Sequence, residues 1–375
     1  MACAHPTGPQ MDSPNPNSPR VGLIAILLLS IGGLWSVDVF LARLESSELT
    51  SQARGYFKDG ERLMNGGRPA PALDLFRKAY ALDRANQAYA LHLADALVEA
   101  GKSDDGQRML TEILGRSPND GETNLIEARL MAREEKYAES AAYYHRAIYG
   151  IWPADPQLQR VAVRLELAHM LASHGSQKDL LAELLPLESD AAADLAVRKQ
   201  VARLYVTAGS PSRAQAVYRA LIHEGNTDSE TYSGLGDAEL ALGDYRAAQV
   251  AFNEASRHGA TAELKSQVEL AAKMAALDPT VRRLGSMEKF ERSVSVLRLA
   301  REALAACAHS SDAADLIGSA DKALVQKNVR NVNNELAEQR LSMAERLWTA
   351  RIQACGPRTS AEEEPLRLIM GKLTQ

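Results

Sequence analysis

The strongest constraint on this chain is a small residue that returns every 34 positions with the same three companions. Gly60 is followed by Ala72, Phe76 and Ala79, at offsets of twelve, sixteen and nineteen. Ala94 is followed at those offsets by Gly106, Leu110 and Ile113, and Ala128 by Ser140, Tyr144 and Ala147. A step of 40 then leads to Ala168, the six extra residues falling around IWPADP. Steps of 34 resume with Ala202 (Ala214, Tyr218, Leu221) and Gly236 (Ala248, Phe252, Ala255). Aromatics are only 5% of a chain rich in Ala and Leu, which favours helices over strands. A unit this short cannot bury its apolar stripe alone, so the copies must stack.

The pattern resembles the tetratricopeptide repeat over residues 53–260, with turn glycines at Gly67, Gly101, Gly175, Gly209 and Gly243. Repeat three has Glu135 in the glycine slot. Repeat four departs further: Leu180 and Leu184 hold the second-helix positions, and Pro186 is expected to break that helix early. The resemblance implies an all-α fold, a right-handed α-solenoid of about six helix pairs. A solvating helix is expected over 261–278, with Leu264, Val268, Ala271 and Ala275 on one face. Residues 279–375 leave the period and read as a small helical bundle of three helices. Its second helix is expected to be capped by Ser311 or Asp312, and a polar tail follows with an apolar patch at 366–370.

Ahead of the repeats, the Pro-, Asn- and Ser-rich residues 1–20 read as a disordered tail. Residues 21–43 read as one transmembrane helix: Val21 to Ala42 gives roughly 33 Å of helix against a hydrocarbon core of about 30 Å. A cleaved signal peptide is the rival reading, disfavoured because no A-x-A site is evident and no cysteine follows the apolar run. Arg20 and Arg43 flank the span evenly, so charge barely votes on orientation. The expected placement is a single-pass membrane protein with its tail inside and its large C-terminal part outside the cytoplasm. In a bacterial inner membrane that is the periplasm.

The resemblance also implies that the first helix of each pair lines a concave groove. The inward positions are then Asp95, Arg129, His169, Arg203 and Asp237, with Glu99 and Arg133 four residues on and Lys199 four residues back. The middle of such a groove is basic and its ends acidic, which suits an acidic segment or a terminal carboxylate. The family's carboxylate clamp of asparagines beside lysines is not matched. Cys307 and Cys355 each close a helix and could form a disulfide in an oxidising compartment. The alternative is two small buried hydrophobes. Trp152 is either an exposed contact or a packed loop anchor.

No Walker, Rossmann or CxxC pattern occurs, and His169 and His174 lie five apart, off one helical face. A net charge of −5 lacks the basic footprint of a nucleic-acid binder. No cofactor, metal, nucleic acid or small-molecule substrate is expected. The reading is a membrane-anchored scaffold or adaptor for a protein or peptide partner, assembling an envelope-associated complex. The alternatives are an accessory subunit of a secretion, polysaccharide-export or envelope-biogenesis machine, and an enzyme with its site in residues 279–375.

Overall fold

Small residues facing large ones at an offset of sixteen create the helix pairs. In a computed structural model, which describes residues 19–325, 333–357, 360 and 362–373, Phe76 and Phe252 are fully buried. A Cβ on Gly60 would come within 2.6 Å of the Phe76 ring, and one on Gly236 within 2.4 Å of Phe252. The other pairs use alanine opposite leucine or tyrosine: Ala94 with Leu110, Ala128 with Tyr144, Ala168 with Leu184 and Ala202 with Tyr218, each buried. The small residue lets the two helices approach, and the large one fills the space between them.

The described residues form seventeen helices and no strand, with one isolated bridge between Asp120 and Ile151. The chain divides into two compact units, Met1–Pro153 and Ala154–Gln375. The boundary falls in the stretch that lengthened the 34-residue step to 40.

The first unit holds α1 (Pro19–Asn65), α2 (Pro69–Leu82), α3 (Gln87–Glu99), α4 (Ser103–Arg116), α5 (Gly121–Arg133) and α6 (Tyr137–Ile148). Helix α1 is continuous for 47 residues, about 70 Å, where the sequence suggested a span ending at 43 and a repeat starting at 53. Nothing between Arg43 and Ala53 ends a helix, since neither Gly nor Pro occurs there. Its N-terminal half is long and apolar enough to cross a membrane and is not buried in the protein. Ser30 and Ser36 donate to the Leu27 and Gly33 carbonyls (2.9 and 2.8 Å), so neither hydroxyl needs an outside partner there. The last turns of α1 pack on α2 as the first helix of repeat one, burying Ala53 and seating Phe57 against Phe76, Tyr89 and His92. After α6 the chain folds back: Ile151 N–H donates to Asn119 O (2.7 Å) and Trp152 Nε1 to Ala147 O (2.9 Å). Trp152 is therefore a packed anchor, seated over Gly121.

The second unit begins with α7 (Pro156–His174), α8 (Gln177–Asp190), α9 (Leu195–Thr207), α10 (Pro211–His223), α11 (Ser229–Ala241) and α12 (Tyr245–His258). Pro186 does not break α8, which runs to Asp190 around it, with Leu184 and Leu187 on either side fully buried. Packing holds the helix through a missing backbone donor. The turn glycines Gly67, Gly101, Gly209 and Gly243 all have positive φ, and Glu135 takes the same left-handed conformation at φ 61°. Gly175 does not: it is extended, and Ser176 caps α8 instead.

Helix α13 (Ala262–Leu277) buries Leu264, Ala271 and Met274. It is not a solvated end. Helix α14 (Ser286–Cys307) and α17 (Glu364–Leu373) pack against it, and α14, α15 (Ser311–Val325) and α16 (Asn334–Cys355) form the bundle. The Ser310 hydroxyl accepts from Ala313 N–H (3.2 Å) at the start of α15, one residue before the expected cap. One apolar cluster joins Tyr245 and Met274 to Leu297, Leu304, Leu347, Leu366, Ile369 and Met370, so the bundle grows directly from the last repeat.

Candidate functional site

Within each unit the first helices of neighbouring pairs touch directly, α3 with α5 and α9 with α7 and α11, whereas second helices make no comparable contact. The first helices therefore line the tighter, inner side of each unit's curve. Polar groups on them pair across about one repeat. Arg133 bonds Glu99, exactly one 34-residue step away. The ring of His169 lies 3.2 Å from Gln200 Oε1, Arg203 donates to Glu230 (2.7 Å), and Gln267 Nε2 donates to Asp237 Oδ1 (3.3 Å).

In the first unit Asp95 is partly buried. Burial first, and Glu99 second, push its carboxyl above the usual range, against the pull of His92 and Arg129. Arg133 and Glu99 remain solvent-facing, so their pair contributes about 0–1 kcal/mol. Leu91 and Leu125, one turn earlier on the same helices, are buried between repeats.

In the second unit Lys199 occupies that same earlier slot, and here the sequence reading is corrected. Its side chain is 9% exposed, and its ammonium sits 2.6 Å from Asp228 and 3.1 Å from Glu230. Lys199 is a buried cross-repeat tie, not an open groove cation. Asp228 works twice, accepting from Thr231 N–H (2.8 Å) to cap α11 while holding Lys199. Burial would raise its carboxyl, but Lys199 and Thr231 outweigh it and hold it below the usual range. Of the four basic residues read from sequence, Lys199 is thus spent inside the protein, while Arg129, Arg133 and Arg203 stay exposed.

Asp237 differs. It lines a cleft of about 390 Å³ on the inner face of α9–α11. Burial raises its carboxyl to about 6, offset in part by Arg203 and reinforced by Glu263. Sequence reasoning placed Asp237 inward but missed the cleft, because one wall is α17, more than 120 residues away. The Tyr245 hydroxyl donates to Leu368 O (3.3 Å), and Lys372 Nζ donates to Gly243 O (2.7 Å) and Asp278 Oδ2 (2.6 Å). The apolar patch noted at 366–370 was the available signal.

Cys307 and Cys355 come together at the ends of α14 and α16, their Cα atoms 6.2 Å apart and their sulfurs bonded. Beside them, Arg351 reaches Glu363 (2.8 and 3.0 Å) and Gly356 O (2.6 Å), fixing the loop that leads to α17. Among the described residues no three His, Cys, Asp or Glu side chains converge as a metal site would require.

Residues 63–130 match a family model described as tetratricopeptide repeat. Solved structures similar to this chain include YrrB, described as a tetratricopeptide repeat protein with an unusual peptide-binding site: 13% identity, 52% of this chain and 97% of that chain, TM-score 0.41. Another is PilW, described as a widely conserved type IV pilus biogenesis factor: 19% identity, 57% and 97%, TM-score 0.43. A third is a tetratricopeptide repeat protein from Parabacteroides merdae: 16% identity, 59% and 99%, TM-score 0.28. No curated protein matches the chain in sequence. Residues 63–130 thus match the tetratricopeptide repeat, and helix pairs continue at the same 34-residue period beyond the matched stretch.

Proposed function

We propose that this protein is a membrane-tethered scaffold that grips a polypeptide partner on the inner faces of its helix pairs. The observation that carries the reading is the continuity of α1, one helix from the exposed apolar segment into repeat one. A rigid link of roughly ten residues, about 15 Å, separates Arg43 from Ala53, the first buried residue of the repeats. Such a link confines the partner search to a thin layer above the bilayer, which raises effective concentration without any new contact. The repeats and bundle stand outside the cytoplasm in this reading, where the Cys307–Cys355 disulfide would persist. The role suited to that place is assembly of an envelope-associated complex.

The test is affinity capture of the full chain from detergent-solubilised membranes, comparing wild type with inner-face variants made separately, Arg133→Glu and Arg203→Glu. A partner recovered by wild type and by the outer-face variant Val250→Ser, but lost from an inner-face variant, supports the reading. Recovery unchanged by every inner-face variant overturns it.

A further inference from the structure

Resting on that reading, we infer that the cleft between α9, α11, α13 and α17 is a pocket for one lysine or arginine side chain of the partner polypeptide. Tyr218 lines it, lying over Gly234 so closely that a Cβ there would meet the phenol oxygen at 2.3 Å. Its walls are apolar: Val206, Leu240, Leu270 and Leu368. The Asp237 carboxylate lines it as well, beside Arg203, Glu364 and Arg367.

The charge bookkeeping around the cleft selects the ligand. Arg203 at the rim is engaged by Glu230, and Arg367 is engaged by Glu364 through 2.8 Å and shorter contacts. Each guanidinium already has a carboxylate partner, so an acidic ligand would compete with Glu230 and Glu364 for it. Among the described residues Asp237 has no ion-pair partner within 4 Å, only the 3.3 Å bond from Gln267. Oδ2 and the remaining lone pairs of Oδ1 are open to a donor. A wholly apolar occupant would seal this carboxylate away from water unpaired, which is unfavourable. An acidic occupant would add repulsion from Asp237, Glu263 and Glu364. A basic side chain meets both demands: its methylene stem lies on the leucines and its cation reaches the carboxylate. The raised carboxyl of Asp237 fits this role, since the attraction of an arriving cation offsets the desolvation that raises it.

The test uses the full chain in detergent micelles at pH 7.5 and four pools of fluorescein-labelled, acetylated and amidated heptapeptides. The pools are randomised except for a central Lys, Arg, norleucine or Glu, and binding is read by fluorescence anisotropy. The Lys or Arg pool should bind roughly tenfold better than norleucine, and the Glu pool worst. Asp237→Asn, which removes a desolvated charge and so retains the fold, should abolish the Lys and Arg preference. Ala241→Trp, at the rim, should block the pocket with Asp237 intact. Equal binding of the four pools, no binding of any pool, or a preference that survives Asp237→Asn overturns the inference. If the pools bind equally and Ala241→Trp still weakens them, the pocket assignment falls while inner-face docking stands. If only outer-face substitutions such as Val250→Ser weaken binding, inner-face docking falls as well.

Discussion

The ammonium of Lys372, in the last helical turn, lies 2.6 Å from the carboxylate of Asp278, whose side chain is 3% exposed. Asp278 also accepts from Thr280 N–H and hydroxyl (2.9 and 2.7 Å), and its carbonyl accepts from Arg292 (2.9 Å). One buried residue therefore ties the end of α13 to α14 and to α17. Lys372→Met keeps the stem and deletes the charge, leaving Asp278 under-compensated. We expect a loss of about 1–3 kcal/mol in urea unfolding and faster hydrogen exchange in α17. Adding Asp278→Asn should recover part of that loss.

The Gly236–Phe252 contact predicts a compensating pair. Gly236→Ala places a methyl 2.4 Å from a fully buried ring and should cost about 1–3 kcal/mol. The double variant Gly236→Ala, Phe252→Leu recreates the Ala94–Leu110 combination. It should unfold at a higher temperature than Gly236→Ala alone.

Glu135 holds a left-handed turn that glycine holds at Gly67, Gly101, Gly209 and Gly243. A left-handed L-residue costs roughly 1–2 kcal/mol, against roughly 0.5–1 for the extra unfolded freedom of glycine. Glu135→Gly should therefore stabilise the first unit by about 0.5–1 kcal/mol in chemical denaturation.

Asp237 gives the second unit a pH signature. Its carboxyl is raised from 3.8 to about 6 in the folded state, so between those values the folded state binds more protons than the unfolded one. Stability from this group is present at low pH and is lost as pH rises toward 6 and above. The groups facing it are Arg203 from α9, Tyr218 from α10, Glu263 and Gln267 from α13, and Glu364 and Arg367 from α17. Asp237→Asn should raise stability by about 1–2 kcal/mol at pH 7.5 and by almost nothing at pH 4. Parallel thermal melts at the two pH values measure this.

The helix pairs were legible in the sequence because each needs only a local rule, a small residue facing a large one sixteen positions on. The long apolar segment was legible from its composition, but its fusion to repeat one was not. The expected break was an inference from domain habit, and residues 44–52 contain no residue that stops a helix. Lys199 was misplaced because register alone assigned it to the groove. Its partners Asp228 and Glu230 lie in the loop and first turn of the next repeat, outside the inward register positions. The docking of α17 stayed hidden because ten residues with three buried apolar side chains carry no period to extend. The contacts that seat the helix reach back 94 to 129 residues. Pro186 shows the reverse error: a strong local breaker lost to Leu184 and Leu187, whose burial outweighs one absent hydrogen bond.

Site-specific photocrosslinking in the intact membrane tests the scaffold reading most directly. A photoreactive residue would replace Glu99 or Ala241 on inner faces, and Lys78 or Val250 on second helices. Polypeptide adducts from the 99 or 241 positions, with 78 and 250 silent, are the expected outcome. Adducts confined to 78 and 250, or none from any position, would contradict it.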